Sequence, residues 1–482
     1  MTKTEQKAAV SLAGIYALRM MGLFMILPVF ALYAETLDGV TPFQIGLAVG
    51  IYGLTQALFQ IPFGMLSDRI GRKPVIAAGL LIFAIGSAVA AMSDSIMGVI
   101  IGRALQGSGA IAAAIMALTA DLTREEHRVK AMALIGGSIG LSFAFALVAG
   151  PVMNMWIGVD GIFWATAILA LGGIAVLYKI VPTPVASRFH RDTQPVPDQF
   201  KRVLRDTELL RLDAGIFILH MVLTASFIVL PFALRDFAHI ETNDHWHIYL
   251  PVLLIAMALM VPFVVVAEKK RCIKQIMTGA IVVLAIAEFL LLVDHDSASS
   301  IFIALLLFFI AFNVLEATLP SMIAKTAPPH IKGTAMGVYS SSQFMGAFIG
   351  GIVGGGVYGV YGVDGVFGFC GLALLFWAYL SFTMRNPQYL GSFLINVGAV
   401  DADRAKQLVN ELTRVQGVAE VVVIPEDGVA YLKVDNDALD KNALLAYRSE
   451  ATIASAERSA TSINVDEASI VVQDAPGEKQ AK

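Results

Sequence analysis

Residues Gly64-Met65-Leu66-Ser67-Asp68-Arg69-Ile70-Gly71-Arg72-Lys73 lie between two long apolar runs. A tight loop holding a carboxylate and three cations between bilayer spans needs a reason. Gly64 and Gly71 suit close helix approach and a sharp turn, because glycine has no Cβ and accepts positive φ. Asp68 interleaved with Arg69, Arg72 and Lys73 suits a charge-paired latch that breaks and reforms. The same residues also make an ordinary basic loop that sets membrane topology. Local chemistry leaves both readings open.

The composition places this loop in a membrane. Of the 482 residues, 57% are hydrophobic and only 15% charged, which does not describe a soluble domain. The length holds about twelve spans of roughly 20 residues and one small soluble module. Cys272 and Cys370 stand far apart in or near apolar sequence, so neither a disulfide framework nor a cysteine metal cluster is expected. The first apolar run is too long for a signal-peptide core and reads as an uncleaved first span.

Apolar runs fall near 11–34, 43–66, 74–92, 96–119, 131–154 and 161–182. After a polar stretch rich in proline and basic residues, six more follow near 212–234, 247–267, 274–293, 299–324, 334–358 and 363–384. The expected fold is therefore an all-α polytopic membrane protein with twelve transmembrane helices in two six-helix bundles. Its segments are an N-terminal bundle (1–182), an inter-bundle linker (183–211), a C-terminal bundle (212–388), a small α+β module (389–454) and a disordered tail (455–482). Lysine and arginine gather in one set of loops, at Arg69/Arg72/Lys73, Arg124/Arg128/Lys130 and Lys269/Lys270/Arg271 among others. Acidic residues gather in the other set, with Arg235 its only cation. The positive-inside rule then places both termini and Gly64–Lys73 in the cytoplasm.

The halves read as copies. Gly158-Val-Asp-Gly-Ile-Phe163 recurs as Gly362-Val-Asp-Gly-Val-Phe367, and Pro62-Phe63 as Pro262-Phe263. A six-plus-six parallel repeat predicts a substrate path between the bundles, near the membrane midplane. Beyond residue 390, Phe393–Val397, Val418–Ile424 and Val429–Val434 read as strands, with a helix over Asp401–Arg414 whose Ala405, Leu408, Val409 and Leu412 share one face. A second helix is expected over Leu439–Tyr447, giving a βαββα order.

Ionisable side chains at membrane depth are costly and call for a cavity, a partner or a function. Arg19 falls in the first span, Arg103 with Gln106 in the fourth, His220 in the seventh, Glu288 in the ninth, and Asn313 and Glu316 in the tenth. Arg19, Arg103, Gln106, His220, Asn313 and Glu316 are candidates for proton coupling or for the cavity lining. Each also has a plain structural reading: pairing with carbonyls for the arginines, a hydrogen-bonded imidazole for His220, helix–helix adhesion for the amides. The fifth span is rich in small residues and contains Gly150-Pro151, which predicts a hinge, although static close packing fits the same residues.

With these residues in place, the chain resembles the major facilitator superfamily. Gly64-x-x-x-Asp68-Arg69-x-Gly71-Arg72-Lys73 matches its loop 2–3 signature, motif A, at every key position. Arg103-x-x-Gln106-Gly107-x-Gly109 resembles its fourth-span motif, associated with proton coupling. Gly150-Pro151 resembles its antiporter motif, but Asn154 and Met155 stand where further glycines are usual. The pattern over roughly 10–385, with Asp121 and Arg128 near loop 4–5, looks most like the twelve-span drug:proton antiporters. The tail module resembles ferredoxin-like, heavy-metal-associated domains, but Val397–Asp401 lacks the cysteines of a thiolate site.

The resemblance implies alternating access, with proton-coupled efflux of a small, largely apolar solute across a bacterial inner membrane. Asp68 would latch onto the positive N-terminal end of the eleventh helix near Gly333–Gly337, held in place by Arg72 and Arg128 with Asp121 completing the network. The implied partners are a small-molecule substrate, protons and lipid, with self-association through the C-terminal module, and no nucleic acid. No cofactor beyond the proton gradient and no metal is implied. No nucleotide loop or hydrolytic triad stands in an accessible place, so an enzyme is not expected. Other readings are a transporter-like sensor signalling through its C-terminal module, and a metabolite uniporter or symporter.

Overall fold

The computed structural model describes residues 1–183, 199–328, 331–386, 390–398, 400–425, 428–435 and 438–447. Most of the expected linker and the whole of the expected tail lie outside the described residues. The chain divides into a helical unit, Met1–Ala327 with Ile331–Pro387, and a second unit formed mainly by Gln388–Lys482.

Ten helical segments of the first unit are long and apolar enough to cross a bilayer. Two of them, Lys130–Lys179 and Lys332–Phe382, run 50 and 51 residues. At about 1.5 Å per residue each would reach roughly 75 Å, more than twice the hydrocarbon thickness of about 30 Å. Both fold back instead. The corners are Gly158 (φ 66°) in α7 (Glu125–Lys179) and Gly362 (φ 68°) in α13 (Lys332–Phe382). These are the two glycines of the repeated Gly-Val-Asp-Gly segment, placed where a Cβ would be strained. Counting both long segments twice yields twelve crossings.

The first and fourth crossings are each broken in the middle. The first comprises α1 (Lys3–Phe24) and α2 (Leu27–Ala34), the fourth α5 (Ile96–Ser108) and α6 (Ala112–Leu122). Backbone contact accompanies each break. Gly150 on α7 has no Cβ, and one there would collide with the carbonyl oxygen of Met25; one on Gly109 would collide with that of Gly79. Pro151 lies inside α7 without a non-helical residue there, and the corner between the fifth and sixth crossings is Gly158. Gly150 is the point where the fifth crossing receives the break of the first.

The remaining crossings are α3 (Pro42–Ile70), α4 (Arg72–Ala91), α9 (Thr207–Phe232), α10 (Trp246–Lys269), α11 (Ile273–Val293) and α12 (Ala298–Thr326); a short α8 (Phe200–Val203) precedes α9. Leu12, Tyr16, Tyr52, Ile76, Leu80 and Phe83 form part of one buried cluster in the N-terminal half. Bulky apolar side chains such as Trp156 (83% exposed), Ile168, Leu171, Leu372 and Phe376 point outward, the surface a protein in lipid presents.

The second unit follows the expected βαββα order: β1 (Gly391–Asn396), α14 (Ala402–Thr413), β2 (Val418–Ile424), β3 (Val429–Val434) and α15 (Lys441–Leu445). Its antiparallel sheet has the order β1-β3-β2. Leu408 and Leu412 of α14 pack with Ile395, Ala430, Leu432 and Val434, so the apolar stripe read from the sequence faces the sheet.

Candidate functional site

The loop between α3 and α4 is a single residue. Gly71 (φ 100°) ends α3 and α4 begins at Arg72, so the charged stretch forms two helix ends rather than an extended loop. Close approach also explains Gly64, where a Cβ would press on the side chain of Ala113 in α6. Arg72 organises the charges. Its Nη1 donates to Ser67 Oγ (2.8 Å) and to Asp68 Oδ1, and its Nε donates to Asp121 Oδ2 at 3.2 Å. The Arg72 side chain is 2% exposed and that of Asp121 is fully buried, while Asp68 keeps 30%. Ser67 completes the arrangement by donating to Gly64 O at 2.7 Å. Lys73 turns away to bind Val181 O (2.6 Å) and Thr183 Oγ1 (3.1 Å) at the end of the sixth crossing. Arg69 is exposed and Arg128 is buried near the start of α7.

Asp68 does not touch the eleventh crossing among the described residues; its hydrogen bond is to Arg72. Helix α13 begins at Lys332 behind Ile331, which has no side-chain oxygen to cap the first turn. The expected partner of the latch, the N-terminal end of α13 near Gly333–Gly337, forms no hydrogen bond with Asp68 here.

The two halves meet elsewhere. At the end of the acidic loops Arg235 Nη1 donates to Glu35 Oε2 at 2.7 Å. Below it, α3 and α13 touch backbone to backbone. A Cβ on Gly46 would collide with Gly351 O, one on Gly53 with Phe344 O, and one on Gly355 with Pro42 O. In the middle Phe143 of α7 lies against Phe309 (6.1 Å between ring centroids) and Phe312 (5.5 Å) of α12.

Glu316 lies one turn beyond Phe312 on α12, toward the basic-loop end, on the face that meets the other half. Its Oε1 stands 3.5 Å from His220 Nε2 without forming a hydrogen bond. His220 Nδ1 lies 3.3 Å from Ile216 O, and its Nε2 lies 2.8 Å from Gln343 Nε2. A neutral imidazole satisfies both: Nδ1–H donates to the carbonyl and Nε2 accepts from the amide. A protonated ring must donate from Nε2 as well, and Glu316 is the carboxylate within reach. Asn313 Nδ2 on the same helix has no partner. His220, Glu316 and Gln343 thus form a polar cluster, with Asn313 one turn before Glu316 on α12 and Phe312 in contact with His220 (6.0 Å).

The arginines of the N-terminal half serve differently. Arg103 Nε and Nη2 donate to Ala48 O and Val49 O (both 3.4 Å), and Nη1 donates to Gln106 Oε1 at 3.0 Å. Gln106 Nε2 donates in turn to Ser87 Oγ at 2.7 Å. Arg103 therefore ties α5 to the backbone of α3, one turn from the glycines that touch α13. Arg19 donates from Nη2 to Gln56 Oε1 and lies over the rings of Tyr52 (5.6 Å) and Phe83 (5.7 Å). Both guanidinium groups are packed within their own half. Glu288 is buried in the other half, accepting from Ser226 Oγ at 2.7 Å.

The sequence reading passed over Gln343, Glu35 and Arg235. Gln343 stands at the edge of a glycine-rich run, and Glu35 and Arg235 looked like loop charges. The loop charges contained one available signal: a lone cation in an otherwise acidic set of loops asks for a carboxylate partner.

Known proteins bear on this arrangement. The profile of the Major Facilitator Superfamily matches residues 12–269 and 212–392. The inner membrane transport protein YajR of Escherichia coli (strain K12) is 45% identical over 442 residues, covering 92% of this chain and 97% of that protein. The multidrug resistance protein MdtH of Proteus mirabilis (strain HI4320) is 26% identical, covering 70% of this chain and 84% of its own. Among solved structures, a bacterial homologue of the human lysosomal transporter Spinster, in an inward-facing and occupied conformation, aligns with a TM-score of 0.68. It covers 79% of this chain and 97% of its own at 12% identity, a likeness of fold.

Proposed function

The chain belongs to the major facilitator superfamily, and from that premise we propose that it is a proton-coupled transporter exporting a small, largely apolar solute by alternating access. The observation that carries this reading is the cluster of His220, Glu316 and Gln343 at the meeting face of the two halves. A carboxyl group that reaches a histidine without a fixed hydrogen bond can gain and lose a proton as the halves move. Aromatic and small residues surround it, which suits an apolar passenger better than a charged one. The names of YajR and MdtH support an inner-membrane location and a drug-like cargo.

The basic loops then face the cytoplasm, with both termini, and the contacts of Glu35, Gly46 and Gly351 close the periplasmic end. In this inward-facing arrangement Asp68 is held by Arg72. In the outward-facing state Asp68 caps the start of α13, and Gly64–Lys73 is the cytoplasmic gate. The C-terminal unit is an accessory domain through which copies associate. Proton entry driven by the membrane potential, about 2.3 kcal/mol per charge per 100 mV, supplies the work.

The test is flux in proteoliposomes loaded with a pH-sensitive dye, with a panel of apolar fluorescent compounds as cargo. Export must be accompanied by opposite proton movement, and Glu316→Gln must uncouple the two. Cargo movement with no proton movement in the unaltered protein overturns the coupling.

A further inference from the structure

Two buried oxygen-bearing side chains on the basic-loop side of Glu316 have no partner. Asp213 on α9 is 4% exposed, and neither Oδ1 nor Oδ2 receives a hydrogen bond. Tyr339 on α13 is also 4% exposed, and its hydroxyl is unpartnered. Asp213 precedes His220 by two helical turns, about 10 Å along the axis, and Tyr339 precedes Gln343 by about one turn.

Helices α9 and α13 run parallel in a fixed register. Methyl groups added at Gly346, Gly350 and Gly354 would strike Phe217, Met221 and Ala225 in turn. That register sets Asp213 and Tyr339 below the His220–Gln343 contact. Tyr339 also lies within electrostatic reach of both Asp213 and Glu316. Other ionisable groups near this face are occupied. Arg211 on the same helix binds Glu208 Oε1 (3.0 Å) and Thr383 O (2.9 Å). On α3 Asp68 is held by Arg72, and on α12 Lys325 binds Glu268 Oε1 at 2.6 Å.

A buried carboxyl with no donor near it costs several kcal/mol as an anion unless it takes a proton or a cation. Asp213 and Tyr339 both lie toward the basic-loop end from the central cluster, buried and without hydrogen-bond partners. We propose that Asp213 is a second proton-carrying site, connecting Glu316 to the solution at the basic-loop end through the Tyr339 hydroxyl. Tyr339 Oη forms no hydrogen bond in this state, so rotation of its side chain first brings it between the two carboxyls; the protonated Glu316 carboxyl then gives its proton to Tyr339 Oη as the tyrosine O–H proton passes to the Asp213 carboxylate. Asp213 then releases one proton to water, and no other bond changes. The inference rests on the proton-coupled reading and adds to it a residue and an exit route.

The experiment reads protonation directly and needs no cargo. Infrared difference spectra of the full chain in lipid nanodiscs are recorded on stepping from mildly alkaline to mildly acidic pH. The expected spectrum contains carbonyl-stretch gains from newly protonated carboxyls, among them one lost in Asp213→Asn and another lost in Glu316→Gln. Tyr339→Phe shifts both bands, and Asp213→Glu restores the first at an altered frequency. A difference spectrum unchanged by Asp213→Asn overturns the proposal whatever Glu316→Gln does. A spectrum unchanged by Glu316→Gln alone overturns the relay and the coupling role of Glu316, while leaving Asp213 a titrating site.

Discussion

Arg235 and Glu35, 200 positions apart in the chain, are joined by a hydrogen bond of 2.7 Å between Nη1 and Oε2 at the acidic-loop end. Arg235 stands in a π-helical turn (Ala233–Phe237) after α9, also grips Asp236 Oδ1 at 2.6 Å, and lies over the Phe232 ring at 5.4 Å. Because a side chain 35% exposed meets one 41% exposed, solvent weakens the pair to about 1 kcal/mol or less. Glu35→Gln is therefore expected to raise the population open at this end by up to about fivefold. Spin labels on Asp38 and Asn243 measure that population, and an unaltered distance distribution counts against a role for the pair.

The glycine seam between α3 and α13 is expected to matter more. A methyl on Gly351 would meet the Gly46 carbonyl oxygen and the backbone of Gly50, none of which can rotate out of the way. Overpacking of this kind costs about 1–3 kcal/mol, so Gly351→Ala should shift the same equilibrium by about 5- to 150-fold. Gly136→Ala is the control, since nothing lies within 4 Å of a Cβ there. Equal behaviour of the two variants would contradict the seam.

Arg103 separates packing from transport. Arg103→Ala leaves the carbonyls of Ala48 and Val49 and the amide oxygen of Gln106 without their charged donor. With about 1.5–3 kcal/mol for a hydrogen bond to a charged group, a loss of at least about 2 kcal/mol is expected. The measurement is thermal unfolding in detergent beside flux in liposomes. A variant of normal stability that has lost flux would mean that Arg103 acts on the translocated species.

Much of the fold is legible because membranes restrict the choices. The apolar runs locate the crossings, and the repeated Gly-Val-Asp-Gly marks corners that no other residue type tolerates well. Gly71 and Arg72 were legible for the same reason, since a one-residue turn between helices demands glycine and buried charges demand partners. Depth within a bundle was not legible. Arg19 and Arg103 have the residue type of a coupling site, yet both are packed inside one half, where aromatic rings or carbonyls surround them. Asp213 falls at the edge of an apolar run, where a charge commonly marks the boundary of a span, and its burial emerges only from the packing around α9. The lone cation Arg235 asks for a carboxylate, but which one was out of reach, because no local pattern links it to Glu35 in the opposite half.

The central claim is that Asp68 leaves Arg72 to cap α13 when the cytoplasmic end closes. The most direct measurement is the spin-label distance between Ile70 and Lys270, with Cys272 and Cys370 replaced, in the unaltered gate and in Asp68→Asn. A charge at a helix N-terminus contributes up to about 2 kcal/mol in a partly buried setting. The account predicts a short-distance, closed population that falls by about tenfold in Asp68→Asn, with the Asp38–Asn243 distance at the opposite end shortening in step. Identical distance distributions in the two proteins would contradict it.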